Sequence, residues 1–181
     1  MAVSSLMVPL GTSAPDFRLP DVTGRTVARD DFADAPALLV AFLCNHCPYV
    51  RHVEGVLAEV LAAHPRLAVV GICTNDADAY PDDRPEHLAE QARRAGWTFP
   101  YLVDAEQEVA RAFNAACTPD FFLYDADRRL AYRGAFDDST PGNGKPVTGA
   151  NLDAAITAVL AGRAVPEPHQ PSMGCGIKWR S

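Results

Sequence analysis

Apolar positions along the chain fall into patterns that predict its elements. Residues 37–43 and 67–72 are continuous apolar runs of strand length, as expected of strands covered on both faces. Between them, Val53, Val56, Leu57, Val60 and Leu61 recur at helical spacing and predict a helix from Pro48 to about His64. Upstream, residues 14–20 alternate and run into Asp21-Val22-Thr23-Gly24, which predicts a strand and a turn, with Val27 opening the return strand of a hairpin. Downstream, residues 84–95 predict a helix stopped by Gly96, residues 99–103 a short strand, and residues 105–113 a short helix. Residues 121–124 and 130–133 flank a turn of Asp and Arg and predict a second hairpin. A last helix is expected to be capped at or near Asn151 and to end around Gly162.

This order predicts an α/β fold, a three-layer sandwich with a mixed central sheet, because buried strands joined by helical crossovers must be covered on both faces. One domain is expected over residues 1–165. Residues 166–181 form a tail in which Pro166, Pro168 and Pro171 forbid continuation of the last helix, so it is expected to run extended and pack on the domain. The length of 181 residues suits one such domain with a substantial core.

Charge and composition narrow the classes of function. The net charge of −7 repels nucleic acid on average, and no apolar run is long enough to span a bilayer. Asp76, Asp78, Asp82 and Asp83 read as a solvated acidic loop. The first ten residues lack a basic, apolar export pattern, so a cytoplasmic location is expected. In that reducing setting the five cysteines point to redox, metal or buried-thiol roles rather than a disulfide framework.

The chemistry concentrates in Cys44-Asn45-His46-Cys47-Pro48, between a buried strand and a helix. Proline favours the first helical position, so Pro48 makes Cys47 the N-cap residue, where free backbone N–H groups and the helix dipole stabilise a thiolate. Cys47 is therefore expected to be the attacking thiol and Cys44 its nearest partner. Arg51, one turn along, and His46, next to the thiol, are expected to favour its charge, against ordinary surface roles for both; His52 reads as a surface or packing residue. Cys117-Thr118-Pro119-Asp120 opens the next strand, and Pro119 is a candidate cis proline. Cys117 reads first as a packed thiol and second as an accessory one, and Cys73 as a core residue. Cys175, between Gly174 and Gly176, reads as a thiol on a flexible segment and a candidate resolving cysteine.

The strand-then-hairpin order closed by a helix resembles the thioredoxin layout, in which the turn at Thr118-Pro119 lies against the cysteine site. The opening Ala14-Pro15-Asp16-Phe17-Arg18-Leu19, the segment Cys44 to Val50, Phe99-Pro100-Tyr101-Leu102-Val103-Asp104, Cys117 to Asp125, and the ending Gly174 to Trp179 together resemble a peroxiredoxin-like branch of the alkyl hydroperoxide reductase/thiol-specific antioxidant (redoxin) family. The resemblance implies a thioredoxin fold and thiol-based redox activity. On the family's Pro-x-x-x-Thr-x-x-Cys pattern, Cys47 matches the peroxidatic cysteine, while Cys44 stands where the threonine would be and Val40 where the proline would be. The family's active-site arginine is missing too, with Pro119 in that neighbourhood. Those departures imply weak peroxide reduction.

The expected function is thus a thiol–disulfide oxidoreductase that reduces peroxides or disulfides through Cys47, with no cofactor and no metal. A thioredoxin- or glutathione-type reductant is the expected partner, a small peroxide or a protein disulfide the substrate, and a homodimer is compatible. Two alternatives remain: a soft-metal module built on Cys44, Cys47 and either His46 or His52, and a redox-inert interaction domain. The first lacks the four ligands that a structural zinc site demands.

Overall fold

The computed structural model describes residues 2–180. In chain order the elements are β1 (Ala2–Ser4), β2 (Arg18–Pro20), β3 (Thr26–Ala28), β4 (Leu38–Phe42), α1 (Pro48–Ala62), β5 (Ala68–Cys73) and α2 (Pro85–Ala95). There follow β6 (Tyr101–Val103), α3 (Glu108–Phe113), β7 (Cys117–Thr118), β8 (Asp120–Tyr124), β9 (Leu130–Gly134), α4 (Ala150–Leu160) and β10 (Met173–Gly176). None of the helices among the described residues is long and apolar enough to cross a membrane.

The central sheet has the order β6-β5-β4-β8-β9. Its middle strand β4 pairs in parallel with β5 and antiparallel with β8, so all of its residues are buried. That explains its unbroken apolar run: neither face meets water. Residues alternate between two cores. Leu39, Ala41 and Leu43 face α1 and α4, where Val53, Leu57, Leu152 and Ile156 pack. Val40 and Phe42 face α3 and the β2–β3 hairpin, against Phe113, Phe17 and Val27. Phe113 sets its ring edge-on to Phe42 at 5.5 Å and to Phe122 at 5.8 Å. Truncating a large, fully buried side chain such as Leu57, Phe42 or Ile156 to alanine removes about 2–5 kcal/mol. Layers and mixed sheet are those expected from the hydrophobic pattern.

Several boundaries differ from the expectation, each for a local reason. The first strand covers only Arg18–Pro20, because Ala14 bonds instead to Arg128 and the Phe17 N–H is held by the Asp16 carboxylate. The third helix starts at Glu108 rather than residue 105: Gln107 is left-handed at φ 61°, and Asp104 caps the helix by accepting from the Val109 and Ala110 N–H groups. The last helix is capped near Asn151, as expected, but not by that residue's side chain. Its N-cap is Gly149 at φ 66°, and Asp137 accepts from the Thr148 and Gly149 N–H groups at 2.6 and 2.7 Å.

The tail runs extended and packs on the domain as expected, but part of it is a strand that the pattern did not predict. A separate sheet, β1-β10-β7, joins the two termini across the cysteine site, with Ala2 opposite Cys175 and Cys175 opposite Thr118. The glycines of the tail serve close approach rather than freedom. A Cβ on Gly174 would sit 2.0 Å from the Thr118 carbonyl oxygen, inside any allowed contact. Ile177, just beyond, is buried in the second core, and Arg111 stacks its guanidinium 4.3 Å from the ring centre of Trp179.

Candidate active site

The site is built where β4 ends and α1 begins. Cys47 is the N-cap of α1 with extended backbone, Pro48 takes the first helical position, and no acidic residue occupies the first turn. The positive end of the helix therefore points at the Cys47 sulfur without a competing carboxylate. Cys44 sits just past the end of β4, and both residues are fully buried.

Thr118 bridges the pair from the opposite side. Its hydroxyl lies 3.1 Å from the Cys44 sulfur, and its carbonyl oxygen accepts from the Cys47 thiol at 3.3 Å. The following peptide, Thr118–Pro119, is cis. Because β10 pairs with β7, Cys175 lies directly opposite Thr118 and so enters the same cluster.

The three thiols divide one charge among them. Cys47 is lowered to about 5: the hydrogen bond from the Cys44 thiol is the main cause, burial opposes it, and the Cys175 thiol and the N–H groups of Val50 and Cys175 add to it. Burial pushes Cys44 well above the ordinary thiol range, reinforced by its bond to Cys47 and by the negative charge of Asp83. Cys175 is pushed up to about 11, by burial and then by its bond to Cys47. The negative charge therefore rests on the Cys47 sulfur.

Asp83 corrects the reading of a solvated acidic loop, for its side chain is fully buried beneath the cysteine loop. It accepts from the Asn45 N–H at 2.7 Å, the His46 N–H at 3.3 Å and the Asn75 amide at 2.9 Å, and it pairs with His46 Nδ1 at 2.6 Å. Burial would raise its carboxyl, but the bonds from His46, Asn75 and Asn45 more than offset that and keep it below its usual value. The rest of the loop is clamped as firmly. Gln91 donates to the Cys44 carbonyl at 3.0 Å and accepts from the Tyr101 hydroxyl at 3.1 Å. Arg94 reaches Asn45 Oδ1 at 3.3 Å while paired with Glu54.

The other expected residues are placed as follows. His46 turns to Asp83 and stacks on Tyr80 at 5.0 Å, leaving its Nε2 buried without a hydrogen-bond partner among the described residues. Arg51 donates to the Asn45 carbonyl at 2.7 Å, so it braces the loop. His52 bonds to Ser139, which in turn donates to Asp137, and is not joined to the cysteines. Cys117 donates to the Pro119 carbonyl at 3.7 Å, and burial raises both it and Cys73 far above the thiol range. Cys44, His46 and Asp83 each offer an atom within 4.8 Å of the others, a three-ligand group that differs from either soft-metal set expected from sequence.

Asp83 and Gln91 are the residues that sequence reasoning missed. Gln91 had a signal: it lies on the buried stripe of α2 with Leu88 and Ala95, and a polar residue there must find a partner. Asp83 lies among exposed acids in sequence, and only the prolines at 81 and 85 hinted at a rigid turn.

Comparison with known proteins agrees with this picture. The model of the AhpC/TSA family matches residues 10–133. The thiol-disulfide oxidoreductase ResA of Geobacillus thermodenitrificans is 26% identical over 123 residues, covering 68% of this chain and 67% of that protein. Its namesake from Geobacillus kaustophilus is 27% identical over 118 residues, covering 65% and 64%. Among solved structures, a hypothetical protein from Sinorhizobium meliloti superposes with a TM-score of 0.96 at 51% identity, covering 98% of both chains. A putative thiol:disulfide interchange protein DsbE from Chlorobium tepidum shares the fold, with a TM-score of 0.66 at 19% identity over 84% of this chain and 98% of that one.

Proposed function

The chain belongs to the AhpC/TSA family and is a thiol-dependent oxidoreductase of the thioredoxin fold, and from that premise we propose that it reduces disulfides through the pair Cys47 and Cys44. The observation that carries the proposal is the charge asymmetry of the pair: Cys47 at about 5 is ionised at neutral pH, while Cys44 keeps its proton. The Cys47 thiolate attacks an oxidised sulfur and releases its partner as a thiolate. Cys44 then gives up its proton and attacks Cys47 within the mixed disulfide, which leaves a Cys44–Cys47 disulfide and frees the second half of the substrate. Asp83 suits the second step, since its carboxylate lies within 4.8 Å of the Cys44 sulfur. A thioredoxin- or glutathione-type donor in a reducing compartment such as the cytoplasm would restore the dithiol.

The test is peptide mapping after titration with one equivalent of a mild dithiol oxidant. A Cys44–Cys47 linkage in the native protein, reversed by dithiothreitol and absent from Cys47→Ser, is expected. Free thiols at both positions after oxidation would overturn the reading. The three-ligand group at Cys44, His46 and Asp83 favours a second reading, soft-metal binding. Stoichiometric zinc in the purified reduced protein, lost in Asp83→Asn, would select it.

A further inference from the structure

The cysteine pair is sealed. Cys44 and Cys47 expose no surface, whereas Cys175 is half-buried and is the outermost sulfur of the cluster. Its position is fixed by a strand. β10 is held by β1 on one side and β7 on the other, and Gly174 lets it approach the Thr118 carbonyl more closely than any side chain would permit. Thr118 is the common neighbour, touching Cys47 through its carbonyl and facing Cys175 in register. An extended polypeptide entering beside Cys47 would meet a strand already in place. A small disulfide meets a thiol.

We propose that Cys175 is the entry thiol of the site, passing oxidation from a low-molecular-weight disulfide at the surface to the buried Cys47 and thence to Cys44. The inference rests on the reading of Cys47 and Cys44 as a redox pair and names the substrate class of that pair. The sequence balances without further reagents. Cys175 attacks a disulfide RSSR and gives its proton to the released RS⁻, so that RSH departs and Cys175–S–S–R forms. The Cys47 thiolate then attacks the Cys175 sulfur, expels the second RS⁻ and makes a Cys47–Cys175 disulfide. Cys44 then attacks Cys47, its proton passes to Cys175, and the Cys44–Cys47 disulfide remains with Cys175 free. Two thiols of the protein are oxidised and one disulfide is reduced to two thiols. The strand already sets Cys175 opposite Thr118, whose carbonyl contacts the Cys47 sulfur, so the relay asks for only a small local adjustment.

Glutathione disulfide is the probe. Reduced native protein, Cys175→Ala, Cys44→Ser and Cys47→Ser are mixed with it, and thiol loss is followed with peptide mapping. Expected are Cys44–Cys47 formation at least tenfold slower in Cys175→Ala, a trapped Cys47–Cys175 disulfide in Cys44→Ser, and glutathione retained on Cys175 in Cys47→Ser. The last two arms keep the native tail, so they decide the matter even if Cys175→Ala folds poorly. Oxidation of a folded Cys175→Ala at the native rate, or glutathione absent from Cys175 in Cys47→Ser, overturns the relay. Failure of the native protein to form any Cys44–Cys47 disulfide would instead overturn the redox pair.

Discussion

At the scale of residues, the chemistry depends on how one buried carboxylate, Asp83, acts on the two fully buried sulfurs of Cys44 and Cys47. Asp83 presents its charge to Cys44 and receives two backbone N–H groups of the cysteine loop. Replacing it by asparagine removes the charge and turns a donor amide toward groups that are themselves donors. Asp83→Asn is expected to lower the pKa of Cys44 and to cost about 3 kcal/mol or more of stability, since a buried network loses its charged acceptor. Chemical denaturation of the reduced protein measures the second effect, and unchanged stability would show that the loop is held by Gln91 and Arg94 alone. The cysteine motif itself was legible from sequence, because Pro48 after Cys47 reports the helix cap directly. Asp83 was not legible, because nothing in a run of acids tells which one folds inward. His46 and Arg51 were seen as residues of interest, but their partners, Asp83 and the Asn45 carbonyl, come from tertiary contact.

At the scale of elements, the strand at the C-terminus matters most for the site. β10 was read as a flexible segment because Gly174 and Gly176 flank Cys175, and the same residues serve freedom or close approach depending on what lies opposite. The short β1 and β7 carry too few residues for any alternation to show. By contrast β4, β5 and α1 were legible because burial on both faces, or on one stripe, writes a long signal into the sequence. Gly174→Ala tests the close approach. With a Cβ only 2.0 Å from the Thr118 carbonyl, the strand must shift outward, and a loss of about 1–3 kcal/mol is expected together with loss of the Cys175 contact to Cys47. Faster amide exchange across residues 173–176 in the variant would report that shift. Native stability and native exchange would mean that the strand tolerates a side chain and is not held by this contact.

At the scale of the whole molecule, the closing of the termini over the cysteine pair sets what can react. The fold was legible as layers and as the succession of elements, while the lid made by β1 and β10 was not, since it joins residues 2–4 to residues 173–176 across the entire chain. The pair is fully buried, with Cys44 just past the end of β4, and the resemblance noted from sequence would put Cys44 where a peroxide-binding threonine is expected. Hydrogen peroxide is therefore expected to oxidise the reduced protein slowly. Stopped-flow oxidation should give a rate constant far below about 10⁷ M⁻¹s⁻¹, and a value at or above that level would show that another group clamps the oxygen.

The central claim, that Cys47 is the thiolate, is tested most directly by titrating the ultraviolet absorbance of thiolate in the reduced protein against pH. A depressed thiol is protonated below its folded pKa and ionised above it, so activity and absorbance should both rise as pH climbs through that value. The account predicts one thiolate appearing with a midpoint near 5, absent from Cys47→Ser and retained in Cys175→Ala with its midpoint moved upward. A low-pH step that survives in Cys47→Ser and disappears in Cys44→Ser would contradict it.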